Sequence, residues 1–521
     1  MTAASTSPST PLPRRGAALA AVCLAALALP LNFSGGAVAT PAIGAALGGS
    51  ALALAWITNA FMLSFGSLLL AAGALADRHG RRRVFLGGLA LFAIATLGVA
   101  VAGSVAAIDL WRALQGVGAA AALAAGTAAL AQLYTSAART RAFSLLGTTF
   151  GTGLAFGPLA AGALSERLGW RAIFFGVAAV AALAWALAAR WLPASRAPAA
   201  GPPDRAGAVS FSAALALFTA GLIQGPHSGW SNAATLALLG AAALLLFAFV
   251  EIERRRRHPL LDLSLFRYRR FVGVQLLPVA TCYSYVVLLV LLPLRMIGVD
   301  GAPAASAGLT LLALSAPMLL VPSLAAVLAQ RIAPAWLSAA GLAAAAAGLC
   351  WLGARPPAQA LPALLVIGAG TALPWGLMDA LSVSVVPSER AGMAAGLFGT
   401  LRVAGEGIAL ASVAALLTAL LQVRLAAVAP LLPHAALADT AQRLVAGDLP
   451  ASMQEGALSA AQLRLAYAAA FGTLIRVLAA ITALAAIAIC LLLGRTPQNA
   501  VDGACDRDRR PACSTGNAGR D

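Results

Sequence analysis

The feature that most limits the fold of this chain is a series of fourteen apolar segments separated by mostly short polar connections. An α-helix rises ~1.5 Å per residue, so about 20 apolar residues cross the ~30 Å hydrocarbon core of a bilayer. The segments are residues 17–38, 50–73, 84–104, 109–133, 142–165, 170–191, 208–226, 232–250, 271–294, 304–328, 333–353, 358–385, 391–421 and 467–493. We therefore predict an all-α polytopic membrane protein with about fourteen transmembrane helices.

The amino-acid composition agrees with insertion into a lipid bilayer, because 61% of the residues are hydrophobic and only 10% are charged. The formal net charge of +17 raises the alternative of a nucleic-acid partner. Its arginines, however, lie in short loops and form no stripe interleaved with aromatic residues, so we expect no nucleic-acid partner. Arg14 and Arg15 precede the first apolar segment, as in a twin-arginine signal. That segment continues well beyond a short signal core, and we read it as the first span.

The distribution of arginine predicts the orientation in the membrane. With the N-terminus inside, the cytoplasmic loops hold most of the arginines. These loops include 78–83, 139–141, 190–205, 254–257 and 267–270, together with positions 331, 390 and 495. The positive-inside rule then places both termini in the cytoplasm of a bacterial inner membrane. The tail after residue 495 is polar, and we expect it to be disordered.

An internal repeat predicts how the spans are grouped. Leu75-Ala-Asp77-Arg78 after span 2 matches Leu328-Ala-Gln330-Arg331 after span 10, and similar segments open spans 5 and 13. Two homologous halves around a central site are typical of alternating-access transporters. The predicted divisions are an N-terminal tail 1–16, a six-helix half 17–193, two inserted helices 194–253, a cytoplasmic linker 254–270, a second six-helix half 271–494 and a tail 495–521.

Cysteine and histidine give no sign of a metal, a cofactor or an enzyme. Four of the six cysteines fall inside apolar segments, two lie in the polar tail, and the four histidines are scattered over loops. We therefore expect no metal site, no cofactor and no catalytic residues. A membrane-embedded enzyme or a channel stays a remote alternative.

The connection between spans 2 and 3 carries the strongest functional signal. It runs Gly73-Ala-Leu-Ala-Asp77-Arg78-His-Gly80-Arg81-Arg82 and resembles the signature loop of the major facilitator superfamily. The resemblance implies two six-helix halves, with Asp77, Arg78 and Arg81 as a latch at a cytoplasmic gate. Gly73, Gly80 and Arg82 complete the predicted gating loop. A solvated charge cluster that only sets topology is the alternative.

Further motifs resemble one branch of that superfamily, the fourteen-span drug:proton antiporters of the multidrug-efflux type. The arginine motif of span 4 supplies Arg112, Gln115 and Gly116, and the glycine-proline motif of span 5 supplies Gly153, Gly157, Pro158 and Gly162. Gln224-Gly-Pro-His-Ser-Gly229-Trp230 resembles the region of the family's two extra spans. The chain departs from the family at Asn32, where span 1 usually carries an aspartate, and at Gln330, where the first-half loop has Asp77.

Charged side chains at membrane depth are the candidates for proton coupling, because a charge in hydrocarbon costs at least about 2–3 kcal/mol and usually faces a bundle interior. Asp379 in span 12 and Glu406 in span 13 are the two acids well inside spans, and Arg402 lies one turn from Glu406. Burial favours the protonated form of a carboxyl group, which suits a proton carrier. We predict that the three form one buried cluster in which both acids share the arginine. A static ion pair between Arg402 and Glu406 is the alternative.

The resemblance also implies a central substrate cavity between spans 1, 4, 9 and 12. Its candidate lining residues are Asn32, Gln275, Tyr283, Tyr285 and Trp375, together with Arg112 and Asp379. The predicted function is proton-coupled export of small amphipathic organic molecules, with a proton-coupled importer as the alternative. We expect the partners to be a small-molecule substrate, protons and the lipid bilayer. A monomer should suffice, and the oligomeric state stays open.

The predicted orientation is testable by cysteine labelling in intact cells. In a cysteine-free background, an impermeant maleimide should leave Arg255→Cys unlabelled and should label a cysteine placed in the segment 422–466. A cysteine in the 78–83 loop should behave like position 255. Labelling of position 255 from outside would overturn the orientation.

Overall fold

The computed structural model describes residues 12–134, 136–194, 204–256, 261, 263–354, 360–386, 391–430, 432–454 and 458–494. In these ranges the regular structure is helical, and no strand is present. The long helices are α1 (Leu12–Leu47), α2 (Ala51–His79), α3 (Arg81–Val101), α4 (Val105–Leu133), α5 (Ser136–Leu168), α6 (Trp170–Trp191), α7 (Arg205–Ser228), α8 (Ala233–Arg255), α9 (Arg269–Val299), α10 (Ala304–Leu328), α11 (Pro334–Ala354), α12 (Ala360–Ser384), α13 (Ala391–Val428) and α14 (Ala460–Leu493).

The predicted all-α membrane fold is confirmed, and each predicted span falls on one long helix. Thirteen of these helices are long and apolar enough to cross a membrane. The other is α5, a 33-residue helix whose many glycines and threonines lower its hydropathy. It nevertheless packs against α1, α6 and α10 inside the bundle. Its small residues therefore serve helix packing, at the expense of apolar surface.

Two of the long helices are irregular. In α9 the regular turns are interrupted by two π-helical segments, Cys282–Val286 and Leu294–Val299. In α10 the helix breaks at Ala316, directly before Pro317. Proline has no amide hydrogen to donate to the preceding turn, which explains the break in α10. Such π segments are frequent at functional sites, and the one at Cys282 lies beside the charged side chains described below.

The chain reverses sharply between α2 and α3. Gly80 alone separates His79 from Arg81, and its φ of 96° lies in a region that side-chain-bearing residues rarely adopt. We call the bundle end that holds this turn the basic face, because Arg78, Arg81 and Arg82 lie there, and the opposite end the distal face. Between α13 and α14 the distal face carries two short helices, His434–Val445 and Leu449–Gln454, of which we call the first the loop helix.

Helix packing groups α1–α6 and α9–α14 into two bundles. Within the first bundle α4 packs on α2 and α3, and α1 packs on α5 and α6; within the second, α11 packs on α12 and α14. The bundles meet where α2 contacts α13 and where α5 contacts α10. The inserted pair α7–α8 joins them from the side, since α7 packs on both α2 and α13. The terminal segments 1–11 and 495–521 lie outside the described residues, whereas residues 12–16 of the predicted N-terminal tail form the start of α1.

Contacts between the bundles are well developed near the distal face. The Glu166 carboxylate of α5 accepts a hydrogen bond from the Ala305 amide of α10 at 2.7 Å. A little deeper, a β-carbon at Gly308 would lie 2.9 Å from the Pro158 carbonyl oxygen, so the two backbones touch. This bundle contact therefore requires glycine at position 308.

Substitutions at two neighbouring glycines of α3 can measure how much the close contact between α3 and α4 contributes to stability. A β-carbon at Gly88 would lie 2.6 Å from Ala121 Cβ of α4, whereas nothing lies within 4 Å of the same position at Gly87. We expect Gly88→Leu to destabilise the protein by about 1–3 kcal/mol through overpacking. Gly87→Leu, the matched control, should leave stability nearly unchanged. Thermal unfolding of both purified variants in detergent measures this, and equal melting temperatures would contradict it.

Candidate functional site

The guanidinium group of Arg112 is fully buried between α1, α2 and α4. Its Nε donates to the Ile57 carbonyl at 2.6 Å, and its Nη1 donates to Gln115 Oε1 at 2.9 Å. The Phe61 ring lies under the guanidinium, 4.8 Å from centroid to Cζ. Gln115 in turn donates to Asn32 Oδ1 at 3.1 Å. The predicted residues Asn32, Arg112 and Gln115 therefore form one buried network.

The hydrogen bonds of the Arg112 guanidinium go to neutral oxygen atoms, and two N–H groups of the network have no acceptor. Arg112 Nη2 and Asn32 Nδ2 are buried and have no hydrogen-bond partner. A buried charge is normally compensated by an opposite charge, and losing such a partner costs several kcal/mol. The Asn32 side chain supplies no negative charge to Arg112, although its backbone carbonyl lies 3.5 Å from Arg112 Nη1, and Asp109 on α4 is the acid that interacts with Arg112 through its charge. Gly116 completes the motif by bringing α4 against the Phe61 carbonyl and Ser64 of α2.

In the second bundle, Arg402 forms an ion pair with Asp379. Arg402 Nη1 and Asp379 Oδ1 are 3.4 Å apart. The Asp379 side chain is 55% exposed, so the prediction that this acid is buried is wrong. The Arg402 guanidinium also lies 5.5 Å from the ring centroid of Phe150 on α5. Because Phe150 belongs to the first bundle, this ion pair lies at the interface between the bundles.

Glu406 does not share Arg402 as the sequence predicted. Among the described acids, Asp379 alone lies within 4.0 Å of the Arg402 side-chain nitrogens. Helical side chains lean toward the N-terminus of their helix. Arg402 therefore extends along α13 toward the basic face, away from Glu406, which follows one turn later. The prediction of one arginine bound to two acids is wrong for Glu406, and the alternative of a static Arg402–Glu406 pair is not observed either.

Glu406 is buried at the seam between the bundles. Its side chain is 6% exposed, and its carboxyl group has no hydrogen-bond or ion-pair partner within the described ranges. The neighbouring Gly407 faces Met62 of α2, where a β-carbon would lie 3.3 Å from Met62 Cβ. On the other side, Gly405 faces Cys282 in the first π segment of α9. Gly407 therefore lets α13 approach α2 closely, whereas a β-carbon at position 405 would make only ordinary contact with Cys282 at 3.8 Å.

The candidate cavity residues of the second bundle have three different surroundings. Tyr285 and Trp375 are in edge-to-face contact at 6.1 Å between ring centroids, and the Tyr285 hydroxyl is hydrogen-bonded to Ser315 at 3.1 Å. Tyr283 instead is hydrogen-bonded to Ser412 of α13 at 3.1 Å. Gln275 is buried, and neither its Oε1 nor its Nε2 has a hydrogen-bond partner. An unpartnered buried amide is costly, which marks Gln275 as a residue able to bind a polar group of a ligand.

The predicted gating loop is closed within the first bundle. Arg81 pairs with Asp77 at 3.0 Å and donates to the Ala128 carbonyl and Gln132 of α4. Arg82 donates to the Ala189 carbonyl of α6 at 2.6 Å, while Arg78 is exposed and Gly73 has open space around it. These hydrogen bonds tie α2 and α3 to their own bundle. A latch to the second bundle is not formed by them in this conformation.

The glycine-proline motif serves two different packing contacts of α5. Gly153 and Gly157 face α1, where a β-carbon would collide with Pro30 and with the Ser34 hydroxyl respectively. Gly162 faces α10, where a β-carbon would collide with the Ala304 carbonyl oxygen. Pro158 lies on the same stretch and presents its carbonyl to Gly308. The motif thus packs α5 within its bundle and across the bundle interface.

Several participants were missed by the sequence analysis. Phe150 and Phe61 contact the two arginines, and Ser315 and Ser412 bind the tyrosine hydroxyls. A lone aromatic or serine in an apolar segment carries no periodic or motif signal, so only the tertiary packing reveals these partners. No group of three or more potential metal ligands occurs among the described residues.

Comparison with known proteins gives concordant matches. A family model described as Major Facilitator Superfamily matches residues 22–410. The multidrug resistance protein Stp of Mycobacterium tuberculosis is 30% identical over 403 residues, which cover 76% of this chain and 74% of Stp. The cephamycin export protein CmcT of Amycolatopsis lactamdurans is 35% identical over 409 residues, covering 76% of this chain and 83% of CmcT. The tetracenomycin C resistance and export protein of Streptomyces glaucescens is 31% identical over 390 residues, covering 73% of this chain and 71% of that protein.

A solved structure with the same fold is a bacterial homologue of the human lysosomal transporter Spinster in an inward-facing, unoccupied conformation. It aligns with a TM-score of 0.64 at 18% identity, covering 93% of this chain and 98% of that chain. At this identity the alignment concerns the fold alone.

The unused donors around Arg112 lead to a prediction for Asn32→Asp. A carboxylate at position 32 adds a negative charge on a residue whose backbone carbonyl is 3.5 Å from Arg112 Nη1, and a hydrogen bond to a charged group contributes about 1.5–3 kcal/mol. We therefore expect Asn32→Asp to raise the melting temperature of the purified protein at neutral pH. Asn59→Asp, which buries a carboxylate on α2 away from Arg112, is the matched control and should lower it. A lower melting temperature for Asn32→Asp would contradict the assignment.

Proposed function

The chain belongs to the major facilitator superfamily, as its signature loop predicts, and we propose that it exports small amphipathic organic molecules in exchange for protons. Secondary transport follows from family membership. Export is supported by the names of the relatives, which describe multidrug resistance, cephamycin export, and resistance to and export of tetracenomycin C. The orientation proposed for the chain places the basic face and both termini in the cytoplasm of a bacterial inner membrane.

The observation that carries proton coupling is the position of Glu406. It is a buried acid with no hydrogen-bond or ion-pair partner among the described residues, one helical turn from an arginine that is held by a different acid. Because an unpaired carboxylate removed from water is costly, we assign a proton to Glu406 in this conformation. If the Arg402 guanidinium moves from Asp379 to Glu406, the carboxylate form of Glu406 is compensated and its proton is released. The arginine then acts as the switch between the two acids.

The location of this switch connects it to alternating access. Arg402 contacts Phe150 of the first bundle, and Glu406 is flanked by Gly407, which faces Met62 of α2. A rocking motion of the bundles changes both contacts, and therefore changes which acid Arg402 can reach. Bundle contact near the distal face and an exposed Asp379 nearer the basic face support an inward-facing state.

We propose that the candidate residues of both bundles line a central substrate cavity. Gln275 offers a free amide, and Tyr285 with Trp375 offers aromatic surface. An aromatic surface beside a few polar groups is typical of sites for amphipathic ligands. The predicted cargo is therefore an organic molecule with a flat apolar part and a polar group, transported by a monomer.

Substitution of Glu406 tests the coupling. In proteoliposomes, Glu406→Gln should abolish substrate transport driven by a pH gradient, because the amide cannot release a proton. Exchange of labelled for unlabelled substrate without a gradient should persist, since it needs no net proton movement. Asp379→Asn should reduce gradient-driven transport by freeing Arg402 from its partner.

Glu251→Gln, which removes an exposed acid paired with Arg255, is the control and should transport normally. Normal gradient-driven transport by both Glu406→Gln and Asp379→Asn would refute proton coupling through this cluster.

A further inference from the structure

Two adjoining cavities lie at the distal face, away from the central residues. The inner cavity, of about 100 Å³, lies between α1, α2, α7, α9, α13 and the loop helix. The outer cavity, of about 400 Å³, lies between the α7–α8 turn, α13 and the loop helix. They share Ala415 and Thr418 of α13 as lining residues, so the outer cavity continues the inner one. Together they are in the size range of sites for small organic ligands, roughly 300–1,000 Å³.

The inner cavity presents hydrogen-bond acceptors. Asn59 is 7% exposed, its Nδ2 donates to the Ala55 carbonyl at 2.9 Å, and its Oδ1 has no hydrogen-bond partner. The hydroxyls of Thr40 and Thr418 donate to carbonyls of their own helices, Gly36 at 2.8 Å and Ala414 at 2.9 Å. Their remaining lone pairs can only accept. Asn59, Thr40 and Thr418 therefore favour a molecule that supplies a hydrogen-bond donor.

The outer cavity presents an aromatic face. Trp230 is 48% exposed, and its ring lies on α7, where a β-carbon at Gly225 would be 2.6 Å from it. Gly229 has a φ of 94°, and Gln224 Nε2 donates to Ser228 Oγ at 2.6 Å. The two glycines of the Gln224–Trp230 motif thus determine where the Trp230 ring lies. Gly225 makes room for the indole ring, and Gly229 forms the turn that places it.

Charge around the two cavities is sparse. Of the described side chains that line them, His434 at the outer rim is the only titratable one. A charged ligand would lose its hydration without gaining a counter-charge. The chemistry of the lining therefore favours an uncharged molecule with a planar apolar body and an N–H or O–H donor.

The walls of the site come from both bundles and the insert. Asn59 lies on α2 of the first bundle, Thr418 on α13 of the second, and Trp230 follows α7. Asn59 is eight residues from the start of α2 at the distal face, which corresponds to a depth of ~12 Å.

We propose that these two cavities form a distal exit site, in which an uncharged, planar, donor-bearing molecule hydrogen-bonds to Asn59 Oδ1 and packs on Trp230 before release. This assignment rests on the proposed export function for its place in the transport cycle. It gives the two inserted helices a role, since α7 and the turn that follows it build one wall of the site. It also separates the site from Gln275, Tyr285 and Glu406, none of which lines either cavity.

A matched pair of fluorescent probes tests the site by binding alone. 2-Aminoanthracene is planar, uncharged at pH 7.5 and carries N–H donors, and its N,N-dimethyl derivative has the same rings without them. We expect the purified full-length protein in detergent to bind the amine about five- to tenfold more tightly, the effect of one hydrogen bond. Asn59→Leu should remove this difference, and Thr418→Val should reduce it.

Substitution of the aromatic wall is the second arm. Trp230→Ala should weaken binding of both probes several-fold, because it removes the ring surface and leaves the acceptors. Trp336→Ala, at a tryptophan that is 55% exposed on α11, is the control and should change neither affinity. Thr418→Cys, in a cysteine-free background, should react with a maleimide more slowly when the amine is present.

The outcomes separate this inference from the proposed function. Equal affinity of the wild type for the two probes, or an unchanged preference in both Asn59→Leu and Thr418→Val, would overturn the exit site even if proton-driven export is observed. If those variants lose the preference for the amine over its dimethyl derivative, the exit site is supported, whatever the result for Glu406→Gln. Normal transport by Glu406→Gln would contradict only proton coupling through Glu406.

Discussion

Charge inside hydrocarbon is the constraint on which the organisation of this transporter depends. A buried ion must be compensated or confined to a place where its cost is useful. In the described residues, the deep arginines Arg112 and Arg402 lie in different bundles and are treated differently. Arg112 is fixed by neutral acceptors of its own bundle, whereas Arg402 pairs with an acid and leaves a second acid one turn away. The first arrangement is rigid, and the second has an alternative partner.

This difference explains how the chain can lack the usual aspartate of span 1. Asn32 accepts from Gln115 and cannot exchange a proton, so the first bundle offers Arg112 no titrating partner on α1. Under the proposed function, proton exchange belongs to Glu406 and Asp379 in the second bundle, with Arg402 moving from one acid to the other. An acid at position 32 would hold Arg112 more firmly in its network, which is why Asn32→Asp is expected to stabilise the protein.

The fold was predictable from the sequence because its causes are local. Apolar segments of sufficient length, arginine-rich connections and the Gly73–Arg82 motif each act over fewer than about 30 residues, and the predicted all-α architecture and family are confirmed. Even the Arg402–Asp379 pair followed from helix rise and side-chain direction. The state of Glu406 did not, because Arg402 and Glu406 both lean toward the N-terminus of α13, so the arginine points away from the acid that follows it by one turn. The roles of the site residues stay predictions until the variants are measured.

The interface between α2 and α13 joins the proton switch to the distal exit site. A β-carbon at Gly66 would lie 2.8 Å from the Ala404 backbone, and Gly407 faces Met62, so the two helices touch along the stretch that holds Glu406. Farther along the same pair of helices, Asn59 and Thr418 line the inner distal cavity. A helix moves as a rigid rod over two to three turns, and closely packed backbones have few intermediate positions. A molecule bound at the proposed exit site would therefore change the spacing of the helices that flank Glu406. If Glu406 is the proton carrier, release of the molecule and release of the proton act on one interface, and this gives the proposed exchange a structural basis.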